Sequence, residues 1–176
     1  ACVIPPYKSN DEILREMESA AWNISKELDI QGFLNIQFAV KDEVLYIIEV
    51  NPRASRTVPF LSKVTGVNLI DAAVQVWDGV NLQEQRLCDS TGIGRGECVT
   101  GWAVKEAVFS FDRFLGQDPI LGPEMKSTGE AAGTGRSFGE AFAKAQAAVN
   151  SNLPIEGRIY VSVNKKDRET IPPVVK

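Results

Sequence analysis

The sequence predicts an α+β fold, an antiparallel sheet flanked by helices, and three observations carry that reading. Strand-like and helix-like runs mix along the chain without the strict alternation of a doubly wound sheet. Two strand-like runs, 33–40 and 44–51, sit so close together that only a hairpin can join them. Apolar residues recur at three- and four-residue steps behind polar capping signals, which is the pattern of amphipathic helices.

Taken in order, Ala1-Cys2-Val3-Ile4 reads as the tail of an apolar strand, and a start without methionine suggests a piece of a larger polypeptide. Ser9-Asn10-Asp11-Glu12 has the form of a capping box, with Ser9 as N-cap. Behind it Ile13, Met17, Ala20, Ala21, Ile24 and Leu28 form one helical stripe, and Gly32 marks the exit. Met17 and Trp22 read as helix packing.

In the next strand Leu34, Ile36, Phe38 and Val40 share the apolar face, while Asn35 and Gln37 share the other. Lys41-Asp42-Glu43 is the turn into the run 44–51. A short helix over 59–64 ends at Gly66. Asn68 caps a second helix carrying Leu69, Ala72, Ala73, Val76 and Trp77, which Gly79 stops.

From 80 to 96 the pattern dissolves into a polar loop. Gly92-Ile93-Gly94-Arg95-Gly96 lacks the preceding strand and following helix of a phosphate cradle, so it reads as flexible loop. Strand character returns over 102–111. Asp118-Pro119 and Gly122-Pro123 signal turns, and Ser127-Thr128-Gly129-Glu130 reads as another polar turn. Ser137-Phe138-Gly139-Glu140 opens an alanine-rich helix through 149. Residues 150–157 have linker character, and 158–163 read as a fresh strand.

Bulk properties narrow the chemistry. A chain of 176 residues supports one core, or one core plus part of a second unit. Hydrophobic residues at 44% and charged residues at 24% are ordinary for a soluble domain, and a net charge of −4 argues against a nucleic-acid binder. No stretch approaches the length of apolar sequence that crosses a bilayer. Cys2, Cys88 and Cys98 follow no CxxC spacing and fit reduced thiols of a cytosolic compartment. The chain holds no histidine, which excludes Ser-His-Asp and Cys-His catalysis and His-ligated zinc within it.

Chemistry must then run through carboxylates, amides, guanidiniums and a cofactor metal. The stretch Glu49-Val50-Asn51-Pro52-Arg53-Ala54-Ser55-Arg56 offers these together. Strand alternation puts Glu49 and Asn51 on one face. They suit a hard cation such as Mg²⁺, with phosphate oxygens and water completing the shell. Arg53 and Arg56 add fork-shaped donors for phosphate. Glu49, between Ile48 and Val50, is expected to be partly buried and to need a cation or donors nearby. Gln37 joins this set only if the hairpin loop has odd length, because a one-residue slip turns every side chain to the reverse face.

Asn35-Ile36-Gln37-Phe38 followed by Ile48-Glu49-Val50-Asn51-Pro52-Arg53 resembles the C-terminal lobe of ATP-grasp ligases. Arg56-Thr57-Val58-Pro59-Phe60 with Ser62-Lys63, the run 121–130 (LGPEMKSTGE) and 141–146 (AFAKAQ) make the likeness closest to the second half of carbamoyl-phosphate synthetase large subunits. It runs over nearly the whole chain and is weakest over 80–101.

That resemblance implies a site that binds ATP and Mg²⁺ (or Mn²⁺) and phosphorylates carbamate to carbamoyl phosphate for pyrimidine and arginine synthesis. Gln37 and Glu49 would bind ATP and metal, Asn51 would complete the metal shell, and Arg53 and Arg56 would be the catalytic pair facing the transferred phosphoryl group. It also implies two regions: 1–149 as the C-terminal part of an ATP-grasp domain with its connecting region, and 150–176 as a linker and the first strand of an α/β, methylglyoxal-synthase-like regulatory domain. Implied partners are a glutamine amidotransferase small subunit and the remaining large-subunit domains, in the cytoplasm, with no nucleic acid and no membrane. The chain alone, lacking the lid and adenine-binding elements, is expected to be inactive. The alternatives are another ATP-grasp ligase of the biotin-carboxylase type, in which the 121–130 segment is not expected, and a non-catalytic scaffold.

Overall fold

The structure, a computed structural model, describes residues 1–7, 10–85, 87, 100–111, 116, 120–149, 155–158, 160–169 and 171. Among these residues the fold is α+β with two small antiparallel sheets where the sequence suggested one. The elements are β1 (Cys2–Ile4), α1 (Asp11–Glu27), β2 (Asn35–Lys41), β3 (Val44–Asn51), α2 (Thr57–Thr65), α3 (Leu69–Trp77), β4 (Trp102–Val108), β5 (Gly129–Gly135) and α4 (Phe138–Ala148).

One sheet has the order β1-β4-β5, with Val3 opposite Val104 and Ala103 opposite Thr134. Helix α4 covers it. Val104, Ala141 and Ala145 are almost completely buried there, with Val3, Trp102, Phe138 and Phe142 packed around them. The small residues are the reason helix and sheet come so close. A Cβ on Gly133 would meet Ala141 O at 2.3 Å and Ala145 N at 2.4 Å. This explains why the sequence reads as a turn over 127–130, whereas β5 begins at Gly129 and runs through three glycines. Glycine weakens a strand in isolation, and here the close helix requires it.

The second sheet is the β2–β3 hairpin, with α1 against one face and the α2–α3 pair following it in sequence. Helix α1 is capped by Asn10, whose Oδ1 accepts from Glu12 N at 2.9 Å. The cap therefore falls one residue later than the sequence suggested, and Ser9 lies outside the described residues. Asn68 caps α3 as expected, accepting from Asp71 N at 3.2 Å. Gly66 closes α2 in the left-handed region at φ 73°.

Trp22 departs from the expectation of buried packing, being 62% exposed. It borders a groove of about 880 Å³ between α1 and the apolar side of β2, with Leu34, Ile36 and Phe38 on the opposite wall. Trp77 is as exposed, at 61%, but its ring nitrogen is engaged. Its indole Nε1 donates to Gln31 O at 3.0 Å and lies where a Cβ on Gly32 would stand.

The Gly92–Gly96 segment, Cys88, Cys98 and the Asp118-Pro119 turn lie outside the described residues. Residues 158 and 160–163 carry no strand pairing, so the strand expected there is not formed among the described residues; a strand needs a ladder partner for its backbone groups. A 3₁₀ turn over Lys165–Asp167 follows. No helix among the described residues is long and apolar enough to cross a membrane.

Candidate functional site: an oxygen-bearing hairpin face beside two arginines

The hairpin closes with Lys41 opposite Val44, so its loop is the two residues Asp42 and Glu43. Both have positive φ, 51° and 61°, as the twist of a tight hairpin favours. The odd-length loop expected from the sequence is therefore absent. Continued without interruption, this pairing would set Gln37 against Ile48 and Glu49 against Ile36, on the apolar face of β2. The ladder does not continue that way. A bulge shifts the register between Gln37 and Phe38, leaving Phe38 opposite Ile47 but Gln37 opposite Glu49 and Asn35 opposite Asn51.

An extra residue in one strand thus does what the longer loop was expected to do. Directly opposed residues share a face, so Asn35, Gln37, Glu49 and Asn51 form one oxygen-bearing patch. The face of β2 bearing Leu34, Ile36 and Phe38 lies on the other side, toward α1. The groove is therefore separated from the patch by the thickness of the sheet. Asn35 is the residue that sequence reasoning put on the right face but left out of the candidate set; its pairing with Asn51 was hidden by the bulge.

Within the patch the Asn51 side-chain amide Nδ2 donates to Glu49 Oε1. The hydrogen bond orients both groups and leaves the Asn51 side-chain Oδ1 and the second carboxylate oxygen to act as acceptors. Asn51 is half-buried, whereas Gln37 and Glu49 are exposed. The expected partial burial of Glu49 is not found: the neighbours Ile48 and Val50 do not cover it, and Ile48 itself is 62% exposed.

The two arginines stand on the turn from β3 into α2. Arg53 N donates to Asn51 O at 2.8 Å, folding the chain back directly after the patch, and Arg53 Nη1 donates to Ala54 O at 3.1 Å. Ser55 braces the turn, its Oγ accepting from Thr57 N at 3.2 Å and its carbonyl from Val58 N at 3.1 Å. Arg56 is the N-cap residue of α2, and Pro59 occupies the first turn, where a missing N–H costs nothing. Two arginines thus stand in the turn that leads to the positive end of a helix, a setting favourable to anions. Arg56 Nη1 lies 2.8 Å from Met125 Sδ, in the segment leading into β5.

The donor set is one carboxylate and three amide oxygens, all hard ligands. No group of three or more His, Cys, Asp or Glu able to hold a metal occurs among the described residues. A divalent ion here would need further oxygens from a bound ligand, which suits Mg²⁺ carried by a polyphosphate. The residues present fit that use.

Residues 2–85 match the family described as carbamoyl-phosphate synthase L chain, ATP binding domain. The chain is 44% identical over 177 residues to the carbamoyl phosphate synthase large chain of Pasteurella multocida, covering all of this chain and 16% of that one. It is 45% identical over 170 residues to the large chain of Neisseria meningitidis serogroup A, covering 97% of this chain and 15% of that one. To the C-terminal section of the large chain of Methanocaldococcus jannaschii it is 42% identical over 183 residues, covering 100% of this chain and 29% of that relative.

Proposed function

The chain belongs to the carbamoyl-phosphate synthase large-chain family, and from that premise we propose that residues 1–149 supply the metal- and phosphate-binding part of an ATP-grasp site that phosphorylates carbamate. The chain spans 16% of the length of the Pasteurella relative, so the activity proposed is that of a complete synthase containing this segment. The observation that carries the reading is the bulged register, which sets Gln37 against Glu49 and Asn35 against Asn51.

In this reading Glu49, Gln37 and Asn51 hold Mg²⁺ (or Mn²⁺) with the ATP phosphates. When bound, the ion neutralises charge on the phosphate oxygens. Arg53 and Arg56 face the transferred phosphoryl group and its acceptor. A carbamate oxygen attacks the γ-phosphorus, the bond to the β-phosphate oxygen breaks, and ADP departs with that electron pair. Little covalent work falls to the protein in such a transfer. Positioning and charge stabilisation dominate, which are tasks for guanidiniums and a fixed metal shell.

Exposure of Glu49, Gln37 and both arginines supports a division of labour. This segment presents the ligands, and other large-chain domains close over them and exclude water. Residues 150–176 act as a linker and the start of a regulatory domain. A glutamine amidotransferase small subunit supplies ammonia, and the assembly works in the cytoplasm on pyrimidine and arginine synthesis.

The test is Glu49→Gln in the complete enzyme. Carbamate-dependent ATP turnover should fall by about two orders of magnitude, and the isolated 176-residue chain should show none. Unchanged turnover in the variant overturns the site assignment; robust turnover by the isolated chain overturns the division of labour.

A further inference from the structure

We propose that Met125 is a positioning residue for Arg56, and that the segment 120–128 is the strut that holds the side chain of this arginine in place. The proposal rests on the functional reading above and names a residue that reading does not use.

The strut is fixed at its far end. Thr128 N donates to Val108 O at 2.9 Å, and the Thr128 and Ser110 hydroxyls lie 2.8 Å apart, which ties residue 128 to the end of β4. Lys126 Nζ donates to Ile120 O at 3.1 Å, closing the segment on itself. Between these ties Met125 reaches out, 65% exposed, and places its sulfur 2.8 Å from Arg56 Nη1, 69 residues away in sequence. The contact joins the β1-β4-β5 sheet to the turn that follows the hairpin.

The chemistry of the acceptor decides what this contact does. A guanidinium at an exposed helix start has many rotamers, and a phosphoryl-transfer site needs one of them. A carboxylate neighbour would fix the arginine but also neutralise it and compete with phosphate. A thioether is a weak, uncharged, polarizable acceptor. It can bias the orientation of Arg56 while leaving its charge and most of its five N–H donors for a ligand. Such a contact adds little stability, so its effect should appear in rate.

The experiment uses the complete synthase with Met125→Leu, Met125→Gln, Met125→Ala and Arg56→Ala, measuring kcat and KM for ATP in carbamate phosphorylation, with melting temperatures alongside. Losing the acceptor in the Leu and Ala variants should lower kcat about tenfold while KM for ATP stays within about twofold, as for a group acting mainly in the transition state. The neutral acceptor of the Gln variant should restore kcat to within about threefold of the parent, at an unchanged melting temperature. A Leu variant at the parental rate, or a Gln variant as slow as the Ala one, overturns the proposal. Arg56→Ala separates the two readings. If it abolishes turnover while Met125→Leu keeps the parental rate, the strut alone fails; if it leaves turnover intact, the functional reading fails with it.

Discussion

Gln37 stands opposite Glu49 because Ile48 has no partner of its own in the hairpin ladder. A regular ladder from the observed two-residue loop would carry Glu49 to the apolar face of β2, where an unpaired carboxylate is costly. The bulge resolves a conflict between a tight turn and a polar face.

Parity can be tested directly. Deleting Ile48 from the complete enzyme leaves Glu49 opposite Gln37 in an unbroken ladder, so Mg²⁺–nucleotide binding should survive. Deleting Ile47 and Ile48 together moves Glu49 opposite Phe38 and should abolish it. Saturating nucleotide at a hundred times its dissociation constant should add about 2.7 kcal/mol of stability to a competent protein. Thermal unfolding with and without Mg²⁺–nucleotide reads this, and equal responses from the two deletions would contradict the register.

Packing of α4 on β5 gives a second test. Gly133→Ala inserts a methyl against the backbone of Ala141 and Ala145, where a Cβ would come within 2.4 Å, and should cost about 1–3 kcal/mol. Gly139, on the same helix, has open space at its Cβ position. Gly139→Ala should therefore stabilise by about 0.4–1 kcal/mol through the unfolded chain. Denaturant midpoints of the two variants should move in opposite directions.

Acid sensitivity of α4 follows from Glu140. Its carboxyl is held below its ordinary value of 4.5, first by the hydrogen bond from Lys144, then by the Arg136 backbone N–H and the Lys144 charge. An acid with a lowered folded value contributes stability that is whole above its unfolded value and fades as pH falls through the folded one. Glu140→Gln should thus be less stable than the parent at pH 7, with the gap closing below pH 4.5. The group is fully exposed, so added salt should narrow the gap as well. Urea midpoints across this range check it; a gap independent of pH would refute the assignment.

Much of this was legible in the sequence because local signals were strong. Asn68 and Gly66 carry cap chemistry that tertiary contacts do not override, and β3 lies where its alternation placed it. The rest depended on distant partners. Gly129–Gly135 reads as turn until Ala141 and Ala145 are seen pressing on Gly133. Loop parity misled because Asp42 and Glu43, without a glycine between them, both accept positive φ. A bulge leaves no mark in composition. The five proposed site residues were found from residue type and spacing, whereas Asn35 became a candidate only through the strand opposite it, and Met125 only through proximity to a residue far off in the chain.

The setting of Trp77 has an optical consequence. Its indole is hydrogen-bonded to Gln31 O at the entrance to the hairpin, Trp22 looks onto the groove, and Trp102 sits among Tyr7 and Phe138. Trp102 thus belongs to a different neighbourhood from Trp22 and Trp77, which lie on either side of Gly32's surroundings, one on the groove and one on the backbone at Gln31. Replacing any two with phenylalanine leaves a single intrinsic fluorophore, and the Trp77-only version would report by emission wavelength and quenching whether the base of the hairpin is docked, with no dye attached.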